Sequence, residues 1–270
     1  MAKKIIIIVI ITFICTSCED VIDVDLETSE PRLVVEASIN WIKNTAGNTQ
    51  QIKLTKTTSY FDTSVLPVNG ATVTITDDDN NTFLFTEREA TGIYETQNFI
   101  PVLNKRYYLT IEYEGETYTG NEVLVPVVEI EDAEQGIAPG FSEDEIEIKA
   151  YFTDPADTEN YYLYSFEVSN KYTLDVYKDE FFNGNRIFAY YSNDELEPND
   201  EVIIHGYGIS ERYYNYMFTL LSQTSDQGGG PFETQPATVR GNIVNETNSE
   251  NFAFGYFRLS EVDEFIYIVR

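Results

Sequence analysis

Ala71-Thr72-Val73-Thr74-Ile75-Thr76, then Asp77-Asp78-Asp79-Asn80-Asn81, then Thr82-Phe83-Leu84-Phe85-Thr86 is the stretch that decides the fold class. Apolar residues alternate with threonine on the first arm, which places Val73 and Ile75 on one face of a strand. The alternation resumes on the second arm, and five Asp and Asn residues between the arms are turn formers. The sixteen residues therefore read as a hairpin. Upstream, Leu33–Trp41 alternates at Val35, Ala37, Ile39 and Trp41, and Gln51–Thr57 does so at Ile52 and Leu54. Downstream, Tyr107–Tyr113 and Thr117–Val125 flank Glu114-Gly115-Glu116 as a second hairpin, and Pro126 ends the run. Six or seven short strands with no helical period predict an immunoglobulin-like or transthyretin-like sandwich over residues 31–127.

The pattern restarts in residues 128–270 as a second, mostly β domain. Ile130–Ile137, Glu145–Phe152, Tyr161–Val168 and Ile187–Tyr191 are rich in residues that favour sheet. From Ser210 to Thr224 the period changes. Ile209, Tyr213, Tyr216, Met217, Leu220 and Leu221 recur at three and four residues, the stripe of one amphipathic helix. Ser210 suits the N-cap, with Glu211 in the first turn. Val239–Val244, Phe252–Leu259 and Phe265–Val269 read as three closing strands. Ser225–Pro236, which contains Gly228-Gly229-Gly230-Pro231-Phe232, is longer than a helix–strand connection requires. Phe232 is its one large apolar group and is the expected partner contact, since functional contacts concentrate on such loops.

Residues 1–17 are excluded from the fold as a signal peptide. Lys3 and Lys4 precede the apolar run Ile5–Ile14, which is too short for a membrane span of about 20 residues. Cys15-Thr16-Ser17-Cys18 follows in the form of a bacterial lipobox, with Cys15 where leucine is usual. The expectation is cleavage before Cys18 and lipid attachment to its sulfur. No thiol then remains for a disulfide, a nucleophile or a metal. Residues 18–30 form an acidic tether, with five carboxylates between Glu19 and Glu27.

The chain carries a formal net charge of −29, and loss of Lys3 and Lys4 takes it to −31. Such a surface repels nucleic acid and anionic headgroups. No catalytic signature accompanies it, and no enzyme activity or cofactor is expected. His205 is the single histidine, with no G-x-S-x-G elbow to supply a serine, and it reads as a packing or hydrogen-bonding residue at a strand end. One imidazole and no thiol leave a zinc site almost without its usual ligands. Two carboxylates suffice for glycoside hydrolysis, but 46 acidic residues single out no pair. Asp77–Asn81 offers oxygens to calcium, yet lacks the glycine and distal glutamate of the calcium-loop pattern, and a hairpin turn accounts for it. Twenty tyrosines, several adjacent in pairs, suit either recognition surfaces or ordinary sheet faces. Neighbours in a strand point to opposite faces, so at most half line one surface.

Several segments together resemble an uncharacterised Bacteroidota lipoprotein family, classed as a domain of unknown function and often encoded beside TonB-dependent outer-membrane receptors. They are Cys18-Glu19-Asp20-Val21-Ile22, Arg32-Leu33-Val34-Val35-Glu36-Ala37 and Pro67-Val68-Asn69-Gly70-Ala71-Thr72-Val73. Gly228–Phe232, Arg240-Gly241-Asn242-Ile243-Val244-Asn245 and Gly255-Tyr256-Phe257 complete the set. The resemblance lends no catalytic residue. It implies a lipid-anchored outer-membrane protein facing the cell exterior that captures a nutrient ligand for, or otherwise assists, a TonB-dependent receptor. The acidic tether resembles the export signal of such proteins. The competing reading is a structural or adhesive surface module with no transported ligand.

Overall fold

The computed structural model describes residues 30–59, 62–139, 144–224 and 239–270. The chain divides into Met1–Glu30 and a compact unit, Pro31–Arg270. This second unit is mainly β with one α-helix among the described residues. Its first half holds β1 (Leu33–Ile42), β2 (Gln50–Lys56), β3 (Leu66–Pro67), β4 (Thr72–Asp77), β5 (Thr82–Glu87), β6 (Ile93–Thr96), β7 (Arg106–Tyr113) and β8 (Glu116–Val125). Then come β9 (Asp132–Pro139), β10 (Asp144–Thr153), β11 (Tyr161–Val168), β12 (Lys171–Lys178), β13 (Arg186–Asn193) and β14 (Glu201–Ile209). Helix α1 (Glu211–Thr224), β15 (Val244–Asn245) and β16 (Phe254–Ile268) complete the order.

The last strand organises the whole unit. Phe254–Val262 of β16 runs parallel to Val34–Ile42 of β1. From β1 the ladder passes through β2, β6, β5, β4, β7 and β8. It returns to β16 through Leu259↔Leu124 and Ser260↔Val125, also parallel. These eight strands make a barrel-like circuit around Val35, Ala37, Ile39, Ile52, Leu54, Val73, Ile75, Phe85, Leu109, Ile111, Phe257 and Leu259, all essentially buried. The alternation read from β1, β2 and β4 thus points into this core. Trp41, at the end of its row, is only half-buried and packs on the rim.

Beyond Val262 the same strand changes partners. Val262–Ile268 pairs antiparallel with β14, which pairs with β11, which pairs with β12. A separate three-stranded sheet, β13-β10-β9, lies over one face of this extension. Ile148, Ala150 and Phe152 meet Tyr162, Tyr164, Phe166, Val202 and Ile204 in a second core. The helix covers the opposite face, where Tyr213 and Met217 join Tyr161, Leu163, Ile209 and Tyr256. That double cover explains why Tyr161–Phe166 is buried at six successive positions. A strand covered on both faces reads as a continuous apolar run instead of an alternation. Ser210 caps the helix as expected, its Oγ accepting the Tyr213 N–H at 3.2 Å.

Two expectations about the closing strands change. The strands expected over Phe252–Leu259 and Phe265–Val269 merge into one fifteen-residue strand, Phe254–Ile268, because the polar stretch between them is used for fastening. Ser260 Oγ donates to the Gly208 carbonyl at 2.6 Å. Glu261 Oε2 accepts the Val127 N–H at 2.9 Å, and Asp263 Oδ2 accepts the Ile130 N–H at 2.7 Å. In place of a strand over Val239–Val244, only Val244 and Asn245 pair, with Thr119 and Tyr118 of β8. Just before them Asn242 substitutes a side chain for a ladder. Its amide donates to the Phe257 carbonyl and accepts the Phe257 N–H, both at 2.8 Å.

Where β16 enters, backbone approaches backbone. Gly255 has φ +92°, and a Cβ there would lie 2.0 Å from the Val35 carbonyl oxygen. Gly255→Ala is therefore expected to lower the stability of the whole unit by at least about 2 kcal/mol. A urea titration followed at Trp41 would check this, and an unchanged midpoint would show that the β1–β16 contact adjusts freely.

Candidate functional site

The two residues singled out from sequence, Cys18 for lipid attachment and Phe232 for partner contact, lie outside the described residues. So do residues 225–238 and the stretch that includes the acidic tether up to residue 29. The remaining candidates can be located.

His205 stands in the middle of β14, not at a strand end. The ladder sets Ser165 of β11 opposite it on one side and Glu264 of β16 on the other. A serine, a histidine and a carboxylate therefore lie in one row of the sheet. Their bonding differs from that of a hydrolytic triad, which needs the nucleophile in hydrogen-bond reach of the base. His205 Nε2 is 3.0 Å from Glu264 Oε2. The Ser165 hydroxyl is nearly inaccessible and lies 3.5 Å from the Tyr207 hydroxyl, at the limit of a hydrogen bond. The row runs from a buried serine through a half-buried imidazole to an exposed carboxylate, with no hydrogen bond between Ser165 and His205 among the described residues.

The Asp77–Asn81 loop is closed by its own side chains. Asp77 is buried, and its carboxylate accepts the N–H groups of Asp79 (3.0 Å) and Asn81 (2.9 Å) and the Asn81 amide. Lys105 Nζ reaches Asp77 at 3.1 Å and Asp79 at 2.6 Å. Asp78 accepts the Tyr108 hydroxyl at 3.0 Å. Burial works against ionisation of Asp77, but the hydrogen bonds from Asn81 and Lys105 outweigh it and hold its pKa below the ordinary carboxylate value. The contacts to Asp79 and Asp77 raise the Lys105 pKa. A cation in this loop would have to displace Lys105. Among the described residues no group of three or more His, Cys, Asp or Glu is placed to hold a metal ion.

Other buried carboxylates act as fasteners. Glu122 Oε2 accepts the hydroxyls of Ser210 (2.8 Å) and Tyr256 (3.1 Å), joining β8 to the helix cap and to β16. Asp154 accepts the Tyr162 hydroxyl at 2.5 Å and the Gly184 N–H at 3.1 Å. Burial and then this hydrogen bond push the Tyr162 phenol above its usual pKa. Asp179 accepts the Asn160 N–H at 2.7 Å.

The segments behind the family resemblance have structural work of the same kind. The hydroxyl of the fully buried Tyr94 donates to Val68 O at 2.9 Å and accepts from Ala71 N at 3.0 Å, pinning the Pro67–Val73 turn. A Cβ on Gly241 would lie 1.5 Å from Gly255 O, so those two segments pass in backbone contact. Asn245 Oδ1 accepts the N–H groups of Thr247 and Asn248 and shapes the next turn.

One surface was missed by sequence reading. On β10 and β13, residues facing away from the second core bring Tyr151 opposite Phe188 and Lys149 opposite Tyr190. Phe188 and Tyr190 are 39% and 38% exposed, enough to present ring faces to a partner. Phe188 meets Tyr151 edge-on with centroids 5.5 Å apart, and the Arg186 guanidinium lies 4.2 Å from the Tyr151 ring. Glu131 and Asp132 pair with Arg186, and Glu134 accepts the Tyr151 hydroxyl at 3.1 Å. The signal was present in the alternation of residues 186–191, but strand pairing was needed to set the rings side by side.

This fold and its polar clusters define a mainly β body in which the buried polar side chains fasten the chain together. The chain belongs to the family described as "Domain of unknown function (DUF4249)", whose model matches residues 19–266. No curated protein is a significant match. Among solved structures it is similar to a two-domain fibronectin type-III segment of chicken tenascin. The identity is 12% and the TM-score 0.20, over 68% of this chain and 89% of that one. A DUF4785 family protein from Legionella pneumophila is similar at 11% identity and TM-score 0.23, over 64% of this chain and 52% of that one. Scores this low bear on neither fold nor role.

The Asp77–Lys105 cluster gives a pH signature. A carboxylate with a depressed folded pKa stabilises the fold above its unfolded pKa of about 4, and this contribution is lost as pH falls through the folded value. Lys105→Met should lower the urea midpoint at neutral pH, and the gap from the unsubstituted protein should narrow below about pH 4. A gap independent of pH would assign the effect to packing of the lysine stem.

Proposed function

We propose that the protein is a lipid-anchored outer-membrane lipoprotein facing the cell exterior, which captures a ligand or assists as the accessory component of a TonB-dependent uptake system. The exposed ring face of Tyr151, Phe188 and Tyr190 is the observation that favours capture over a purely structural role. Aromatic side chains offer large contact area at low entropic cost, and they dominate recognition surfaces. Here charged groups surround them and orient polar contacts. The lipobox ending at Cys18, with the compact unit beginning at Pro31, supports tethered display of that face. The family likeness motivates the receptor as partner.

Two experiments test the reading. Cys18→Ala should abolish incorporation of a palmitate analogue and leave an uncleaved precursor; normal processing of that variant removes the anchor. Pull-down from solubilised outer membranes should recover a receptor barrel with the tagged protein. Phe188→Ser with Tyr190→Ser should reduce recovery about tenfold while the thermal midpoint stays nearly unchanged, as for centrally placed aromatic contacts. Equal recovery from both proteins would take the ring face out of the contact, and no barrel from either would remove the receptor.

A further inference from the structure

Arg32 and Arg240 converge on one ring. The Arg32 guanidinium carbon lies 3.9 Å from the centroid of Phe252 and that of Arg240 lies 4.6 Å from it. Arg32 Nη1 also donates to the Glu250 carbonyl at 2.7 Å. Two like charges thus meet over one ring in a chain of net charge −29. Lys43, Arg106, Arg212, Arg258 and Arg270 are likewise without an ion pair among the described residues, but no two of those share a ring. Lys53, Lys56, Arg88, Lys105 and Arg186 each sit against a carboxylate. Neither Arg32 nor Arg240 belongs to an ion pair among the described residues, although carboxylates are far more abundant than cations.

The mount beneath them is stiff. Asn245 shapes the exposed 246–250 turn through Thr247 and Asn248 and holds the Asn251 carbonyl through its Nδ2 at 2.8 Å. Phe252 meets Phe254 edge-on at 5.2 Å, and both rings are half-buried. A guanidinium fork pairs bidentately with the oxygens of phosphate as it does with those of carboxylate, and neither fork is occupied by a carboxylate among the described residues. An aromatic ring between them suits the boundary between polar headgroups and acyl chains.

We infer that Arg32, Arg240 and Phe252 form the membrane-facing contact of the tethered body and bind the phosphates of anionic lipid headgroups. The inference rests on the lipid-anchored reading above. Arg32 follows Cys18 by fourteen residues, a length that reaches no more than about 50 Å fully extended and about 20 Å as a flexible coil. The chain itself therefore keeps this patch near the bilayer. An anchored body also meets the surface at high effective concentration, so a contact too weak for free association suffices to orient it. Repulsion from the acidic remainder is screened beyond about 8 Å at physiological salt, which lets a local dibasic contact act against the net charge.

The test uses the lipidated full chain carrying Ser249→Cys, labelled with a fluorophore on the exposed turn. It is reconstituted into phosphatidylcholine vesicles, with or without phosphatidylglycerol, that bear a headgroup quencher. Quenching should rise about threefold with phosphatidylglycerol and fall back in high salt. Arg32→Gln with Arg240→Gln should return it to the neutral-vesicle level, and Arg32→Lys with Arg240→Lys, which keeps the charge but not the fork, should retain only part of it. Equal quenching on both compositions, or quenching indifferent to salt, overturns the inference even if the glutamine variant misfolds. A chain that floats with vesicles but shows no composition dependence sinks this contact alone. A chain that fails to float with either composition sinks the lipid anchor itself.

Discussion

The parallel pairing of β16 with β1 is the constraint on which the remaining architecture depends. Nine residues of each strand are in register, although Val34 and Phe254 lie at opposite ends of the chain. Without β16, β1 and β8 would be the free edges of an open sheet, each with a row of unpaired N–H and C=O groups. β16 covers nine residues of β1 but only Leu124 and Val125 of β8, whose edge is also met by β15 and the Asn242 side chain. The same strand then carries its remaining length into the second core by pairing with β14. Because Phe257 and Leu259 fill the barrel while Tyr267 fills the second core, loss of β16 would open both hydrophobic clusters at once. So long-range a ladder also implies slow folding, since much loop-closure entropy is spent before the pairing contributes.

Polar side chains do much of the fastening around that strand. Gln50 and Asn242 replace missing backbone ladders with side-chain amides. Gln50 spans the gap where β1 and β2 part, accepting Asn40 N–H at 3.1 Å and donating to Asn40 O at 2.8 Å. Glu261 and Asp263 fix the connection between the two cores, and Glu122 fixes the start of the helix. A buried polar group left without a partner costs about 1–3 kcal/mol, so such networks specify one arrangement by penalising every other. The exceptions are few. Arg258 is buried between Tyr207 and Tyr213, and its Nη groups donate to Ser260 and Asn40, while its Nε has no partner among the described residues.

This use of charge bears on function. The acidic composition invites nomination of catalytic or metal-binding carboxylates, yet the buried ones are committed to N–H groups, hydroxyls and Lys105. On β10 and β13 the surface also carries aromatic area bordered by charge. Its two candidate faces differ in character. The Tyr151–Phe188–Tyr190 face is broad and internally ion-paired, whereas the Arg32–Phe252–Arg240 cluster is small and holds no ion pair among the described residues.

Periodicity alone determined that this protein is mainly β, where its first two hairpins turn, and that one capped helix covers residues 211–224. These features are local: a side-chain period reports which face of an element is buried, and Ser210 caps a helix through a residue three positions away. The lipobox that ends at Cys18 is likewise a local pattern. The partner of each strand was beyond such reading, because a period identifies a buried face but not the neighbour that buries it. The charged Ser260–Glu264 stretch looked like a break between strands, and only its fasteners to Gly208, Val127 and Ile130 make it the middle of one. The row of Ser165, His205 and Glu264 and the ring face of β10 and β13 also join residues tens of positions apart. Those juxtapositions exist only once the ladders are in register, so tertiary structure alone decided them.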